Sequence, residues 1–335
     1  MFTNDVDNPF RAVSGWLKGA LHTHTSESDG IQSPADVVSA YRERGFHFVV
    51  FTDHDKVTRL DPSAQAGRGR AGRSARDVPA GRRGNPEMVT MASGLCSRPA
   101  AAPGDFLVLP GIELGLKRAN PDKYWHFIGV DISDPPISEL GSPVEIHDYL
   151  RAKSRFCVLS HPYWSQLTGA DLAQLEGLAS VEVWNTGCEL EVGRGCAEYP
   201  WDWCLAAGRK VTGVAVDDSH GLDDVGGGWV MVNAPELSAH AILTALARGC
   251  FYSSCGPEIR DIRLDERAIR VETSPCRSIS FIADTQQGAF VAAGKTGKIT
   301  SAVYELRGPE IYVRVQCVDA RGRKAWSNPF YPAPT

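Results

Sequence analysis

No Walker-type loop occurs in this 335-residue chain, and no GxGxxG stands where a strand would turn into a helix. That removes the common nucleotide-cradling folds. The nine cysteines, at 96, 157, 188, 196, 204, 250, 255, 276 and 317, contain no CxxC pair. An odd count without such pairs excludes a four-thiolate zinc site and argues against a disulfide framework. Cys157 and Cys317 lie in strand-like apolar runs and read as small buried hydrophobes. No apolar run approaches the ~20 residues of a membrane span. The opening MFTNDVDNPF has neither the basic region nor the apolar core of a signal peptide. A cytoplasmic protein with no membrane partner is therefore expected. The net charge is −5 and the pI about 6.0, which gives no broad basic face, so no nucleic-acid partner is expected either.

What the chain does contain is alternation. "WLKGALH" reads as a strand and "SPADVVSAYRERG" as a helix, with Ser33 as N-cap, Pro34 at the first helical position, Asp36 in the first turn and Gly45 beyond the end. "FHFVVFTD" is a nearly continuous apolar run, the pattern of a strand buried on both faces. Strands in "DFLVLPGIEL", "YWHFIGVDI", "FCVLSHP", "SVEVWNT", "KVTGVAVDD" and "WVMVNA" follow. They are interleaved with helices in "SPVEIHDYLRAKSR", where Ser142 and Glu145 suggest a capping box, and in "GADLAQLEGLA", "YPWDWCLAAG" and "SAHAILTALARG". Such alternation predicts parallel strands in an α/β fold, either a doubly wound sheet or a (β/α) barrel. Two regions depart from it. Residues 59–104 form a Gly/Arg/Pro-rich insertion, read as a solvated loop or a basic flap over an anionic substrate. From residue 251 the helical patterns stop, which predicts a C-terminal antiparallel β domain over 251–335 behind a first domain over 1–250.

The histidines carry the chemistry. His22, His24 and Asp29 follow the first strand, and Asp53 and His54 the second. Glu113 ends the third, His126 lies in "YWHFIGV", His161 follows "FCVLS", and Asp218 and His220 follow "KVTGVAV". His47, His147 and His240 fall elsewhere and read as structural. In alternating folds the strand ends converge on one face, where sites are built. An HxH on an extended segment points both imidazoles one way. Imidazole with carboxylate and no thiolate suits Zn, Mn or Fe. Nine candidate ligands exceed one ion's needs, so two or three divalent ions sharing a bridging carboxylate are expected. Glu113, alone on its strand end, is the natural bridge. Such a centre lowers the pKa of a water and clamps attacking and leaving oxygens.

In order and spacing, "LHTHTSESDG", "FTDHD", "PGIEL", "HFIGV", "LSHP" and "VDDSH" resemble the motifs of the PHP (polymerase and histidinol phosphatase) superfamily over roughly residues 17–235. The chain is most similar to its stand-alone metal-dependent phosphoesterases. "VWNTGCE", "VDDSHG" and the late "AWSNP" look like the carbaryl-hydrolase-like branch. The resemblance implies a distorted (β/α)7 barrel with a trinuclear centre. His22, His24, Glu113 and Asp218 would hold one ion, Glu113, His126 and His161 a second, and Asp29, His54 and His220 a third. The long insertion after "DHD" departs from the family pattern.

The function expected is hydrolysis of a small, anionic phosphate ester, with Glu113, Asp218 and His220 as catalytic residues. The alternative is a carbamate, ester or amide hydrolase on the same centre. Asn185 and Tyr163 are expected to line the substrate pocket. Asp55, Asp217 and Tyr163 are candidate proton relays or turn residues. Arg151, Arg155 and Arg194 are candidate anion-binding groups.

Overall fold

The structure, a computed structural model, describes residues 8–12, 15–60, 106–116, 123–265, 267–295 and 297–332. From residue 61 onward the expected insertion lies outside the described residues. The chain order is β1 (Trp16–Ala20), α1 (Pro34–Glu43), β2 (Phe48–Phe51), β3 (Leu107–Gly115), β4 (His126–Val130), α2 (Pro143–Lys153), β5 (Phe156–Leu159), α3 (Gly169–Ala173), β6 (Ser180–Asn185), α4 (Thr186–Val192), α5 (Glu198–Ala206), β7 (Thr212–Val216), β8 (Trp229–Asn233), α6 (Ala239–Ala247) and β9 (Phe251–Ser254). After these come β10 (Ile259–Leu264), β11 (Ala268–Cys276), β12 (Ser278–Ala283), β13 (Gly288–Ala292), β14 (Ile299–Glu305), β15 (Val313–Val318) and β16 (Lys324–Ser327). No helix among the described residues is long and apolar enough to cross a membrane.

Local signals act as their chemistry dictates. Ser33 accepts the Asp36 amide at the start of α1, a cap worth about 1 kcal/mol, and Gly45 leaves the helix at φ +73°. Ser142 caps α2 likewise, but Glu145 reaches past it to the Gly141 amide. β2 is buried along its whole length, as its unbroken apolar run requires. Sequence reading missed α4: Asn185 ends β6 and caps α4 through the Cys188 amide at once, so strand and helix share a residue with no linker to announce the change.

The protein is a mixed α/β fold dominated by one thirteen-stranded sheet, in the order β13-β12-β15-β16-β9-β8-β1-β2-β3-β4-β5-β6-β7, with a separate β10-β11-β14 sheet. Two expectations are corrected. The strands are not uniformly parallel, because β4 runs antiparallel to both β3 and β5. Ten residues separate the end of β3 at Gly115 from the start of β4 at His126, fewer than the dozen or so a parallel crossover needs, so β4 runs backwards. The sheet also does not close as a simple (β/α)7 ladder. The free edge of β1 is taken by antiparallel β8, which continues through β9 into the C-terminal strands. β7 instead lies against β9, where the Ser253 hydroxyl donates to Gly213 O and accepts the Ala215 amide. β1 and β7 still meet beyond their C-terminal ends, in a parallel Thr23–Ser219 bridge. β1 to β7 thus form a ring joined at one end only. The position 250/251, read from sequence as a domain boundary, falls between paired strands β8 and β9.

Helix α5 ties this ring to the C-terminal strands. Asp202 receives two bonds from the fully buried Arg314 guanidinium, at 2.6 and 2.7 Å, and Arg314 lies over Trp201. Glu198 accepts from Lys324 Nζ at 2.8 Å and Trp326 Nε1 at 2.9 Å.

Candidate metal centre

The nine histidine and carboxylate side chains gather at the joined end of the ring, brought there by a circuit of backbone bonds. The Asp218 amide donates to His22 O and the His24 amide to Ser219 O. The Thr52 amide donates to Thr23 O, the Glu113 amide to Asp53 O, and the Ser160 amide to His126 O. Because β-type residues alternate in direction, His22 and His24 point inward while Thr23 points out, and Asp218 and His220 flank Ser219 in the same way. The outward Thr23 and Ser219 hydroxyls both reach Tyr41 Oη, at 3.3 and 3.1 Å. His126 reaches this end although it begins its strand, because β4 runs backwards. Asp55, His161 and Asp218 adopt positive φ, at 55°, 29° and 52°. Strain of this kind collects where side chains must be aimed rather than merely packed.

Glu113 lies at the centre, buried. Its Oε2 is 3.2 Å from both His22 Nε2 and His24 Nε2 and 3.3 Å from His54 Nδ1. Its Oε1 is 3.2 Å from His126 Nδ1 and 3.6 Å from His161 Nε2. Asp218 Oδ1 is 3.2 Å from both His22 Nε2 and His24 Nε2, and those two nitrogens are 3.1 Å apart. Asp29 faces His24 Nδ1 at 3.4 Å, His220 Nε2 at 3.3 Å and His54 Nε2 at 3.8 Å. The atoms fall into three overlapping sets with metal-ligand spacing: His22, His24 and Glu113; His54, Glu113 and His126; and His24, Asp29, His54 and His220. His24 and His54 thus offer one ring nitrogen to each of two neighbouring sets, where the family resemblance gave each a single ion. Burial is graded: His22, His24 and Glu113 are closed off, whereas Asp29 is 49% exposed, so the site opens on the Asp29 side.

Two observations test whether cations fit. Glu113 Oε1 is buried with no hydrogen-bond partner, although His126 Nδ1 is only 3.2 Å away, so the two groups face a common point rather than bond to each other. A point shared by atoms spaced as in the His22–His24–Glu113 set lies about 2 Å from each, the length of a bond from zinc to nitrogen or oxygen. The electrostatics agree. Burial alone would raise Glu113 and Asp218, but the surrounding histidines hold both well below the usual carboxylate range. Burial would lower His24, but Asp218 and Glu113 override it and raise the imidazole to about 9. His22 is raised by the same carboxylates together with Glu182.

The supporting residues were only partly legible. Glu182 was missed: its Oε1 accepts His22 Nδ1–H at 2.6 Å, and its Oε2 accepts the His161 amide at 2.7 Å and Asn185 Nδ2 at 2.8 Å. That bond presents the His22 Nε2 lone pair to Glu113 and Asp218. Its signal was available, since a carboxylate inside the apolar run "SVEVW" needs a buried partner. Asp53 accepts from the Thr25 amide, Thr25 Oγ1 and Ser28 Oγ at 2.7–2.8 Å, fixing the turn that carries Asp29. Asn185, expected in the substrate pocket, is buried, and its amide bonds Glu182 and, at 3.1 Å, Asp218. It braces Asp218 directly and His22 through Glu182. Asp217, a relay candidate, is occupied by Tyr41 Oη and the amides of Gly226, Gly227 and Gly228, and burial raises it to about 6. A Cβ at Gly228 would sit 2.4 Å from Val216 O, so that wrap around Asp217 requires glycine. Tyr163 is 46% exposed, next to Trp164. Arg151 and Arg155 lie at the opposite end of the sheet from the ligands, where they line a cleft of about 400 Å³ with Lys210 and Arg248. Arg194 follows Gly193, the C-cap of α4, and is half-buried.

No protein-family model matches the chain, and no curated protein does. Among solved structures it is similar to a two-domain protein from Bacteroides vulgatus containing a predicted PHP-like metal-dependent phosphoesterase, at 16% identity over 95% of each chain with a TM-score of 0.46. It is also similar to a candidate metal-dependent phosphoesterase from Bifidobacterium adolescentis, at 17% identity over 69% of this chain and 96% of the other, with a TM-score of 0.34. At such distances the chemistry must be read from the residues themselves.

Proposed function

We propose that the protein is a metal-dependent hydrolase. Within that class we read it as a PHP-type phosphoesterase acting on a small, anionic phosphate ester. The observation that supports this most is Glu113, whose two oxygens face different imidazoles: His22, His24 and His54 on one side, His126 and His161 on the other. A carboxylate so placed suits two or three divalent ions, with Mn, Zn or Fe favoured by the imidazole and carboxylate donors. Bound there, such ions activate a water and neutralise phosphoryl oxygens. The chain's own part is to hold and aim. β1 to β7 act as an incomplete barrel that converges the ligands. Glu182 fixes the His22 tautomer, Asn185 holds Asp218, and the buried His22–Glu113 floor keeps bulk water to the Asp29 side. Asp29 and His220 stand at the open edge, where substrate would enter.

A second reading, a carbamate or ester hydrolase on the same centre, is favoured by the position of Arg151 and Arg155 far from the ligands, which removes two candidate phosphate-binding groups. Elemental analysis of protein loaded with Mn or Zn, followed by parallel assay on phosphomonoesters, nucleotides, bisphosphates and aryl carbamates, separates the readings. We expect at least two ions per chain and release of phosphate. Fewer than two ions defeats the multinuclear centre, and carbamate turnover without phosphate release selects the second reading.

A further inference from the structure

We propose that Tyr124 and Trp164 are specificity-determining residues, forming an aromatic wall that selects substrates with a planar ring on the leaving group. The proposal rests on the phosphoesterase reading and names its substrate class. Tyr124 is 60% exposed, a large ring left in water beside a polar site. It leans on Trp164 with ring centroids 5.3 Å apart and an interplanar angle of 49°. The pair adjoins the ligands directly: Tyr124 lies 6.4 Å from His126 and Trp164 lies 4.9 Å from His161. These are the two imidazoles facing Glu113 Oε1, so the wall stands beside the Oε1 half of the centre and away from Asp29. Trp164 is held in place by its indole N–H, which donates to Glu191 Oε2 at 3.2 Å. Tyr163 adds further exposed aromatic surface next to it. A core-packing role would account for a buried ring, but not for Tyr124. A flat, exposed ring tilted against a pinned indole offers a stacking surface, and stacking against such a pair favours a ring-bearing ligand by about tenfold over an alkyl one.

Calorimetric titration of the Mn-loaded protein with phenylphosphonate and methylphosphonate tests this without turnover. The phenyl compound is expected to bind about tenfold more tightly. That ratio should fall towards one in Tyr124→Ala/Trp164→Ala and persist in Tyr124→Phe/Trp164→Phe. Should the double alanine variant fail to fold, Tyr124→Ala alone, at an exposed position, should lose part of the ratio. A wild-type ratio near one, or a ratio fully retained in Tyr124→Ala, overturns the wall while leaving the phosphoesterase reading intact. Failure of methylphosphonate to bind a metal-loaded chain overturns that reading and the wall with it.

Discussion

The ligand cluster and the α5 clamp both bury charge, and they handle it in opposite ways. In the clamp every charge meets its complement. Arg314 is bonded in fork geometry to Asp202 and also donates to Gln316, and Glu198 takes Lys324 and the Trp326 indole. Burial there is offset within the chain. In the cluster, carboxylates and imidazoles converge on shared points instead of pairing off one to one. Glu113, Asp29 and Asp218 are ringed by six imidazoles, and one Glu113 oxygen has no hydrogen-bond partner. A polar assembly left incomplete inside a fold is costly, and it persists where something from outside completes it. The clamp joins parts of the molecule, whereas the cluster has the donor spacing to hold a cation.

Substitutions can break that contrast. The largest effect is expected from Glu113→Gln, which keeps the shape but removes the charge both halves of the cluster share. Turnover should fall by about a hundredfold or more, with fewer ions by elemental analysis and an unchanged far-ultraviolet spectrum. An active Glu113→Gln enzyme would mean the bridge is misassigned. In the clamp, Asp202→Ala should cost about 3 kcal/mol in urea unfolding, because it strands a buried guanidinium, yet it should leave the ion count unaltered. Loss of ions in Asp202→Ala would erase the distinction between the two regions.

His147 sharpens the comparison. It is buried in α2 against Phe127, with neither ring nitrogen hydrogen-bonded, but it lacks the surrounding carboxylates of the cluster. Burial, aided by Arg151, therefore lowers its pKa to about 4 instead of raising it. The fold prefers the neutral ring, so its full contribution is present above pH 6.5 and is lost as pH falls towards 4. The difference amounts to about 3 kcal/mol at most. Stability measured across that window should fall less in His147→Leu than in the parent, and equal slopes would show that the ring does not titrate inside the fold. The smallest effect is expected at Glu182→Gln. It leaves His22 in place but weakens the hold on its tautomer, reducing metal affinity about 10- to 100-fold with little change in unfolding midpoint of the metal-free chain.

The cluster was legible because its candidate ligands lie in short spacings. His22-Thr23-His24 and Asp218-Ser219-His220 alternate inward and outward along extended backbone, and strand ends are recognisable from apolar runs. What governs the ring's shape was less legible. The reversal of β4 turns on the short connection between Gly115 and His126, too short for a parallel crossover. The occupation of the β1 edge by β8 depends on pairing between strands more than two hundred residues apart. The supporting groups divide on the same principle. Glu182 stands out as a carboxylate in an apolar strand, whereas nothing local marks Asn185, which caps α4, as also gripping Asp218, because that partner lies beyond β7.

The Thr23–Ser219 bridge gives the assembly the mechanics of a cask. Its staves are bonded side by side, but the first and last touch only at the rim. Inside that rim stand His22, His24, Asp218 and His220; outside it, one phenol, Tyr41, laces the two hydroxyls together. Ions seated within would act as the hoop, so filling the vessel and tightening it are one event. Emptying it would slacken this seam before any other part of the wall.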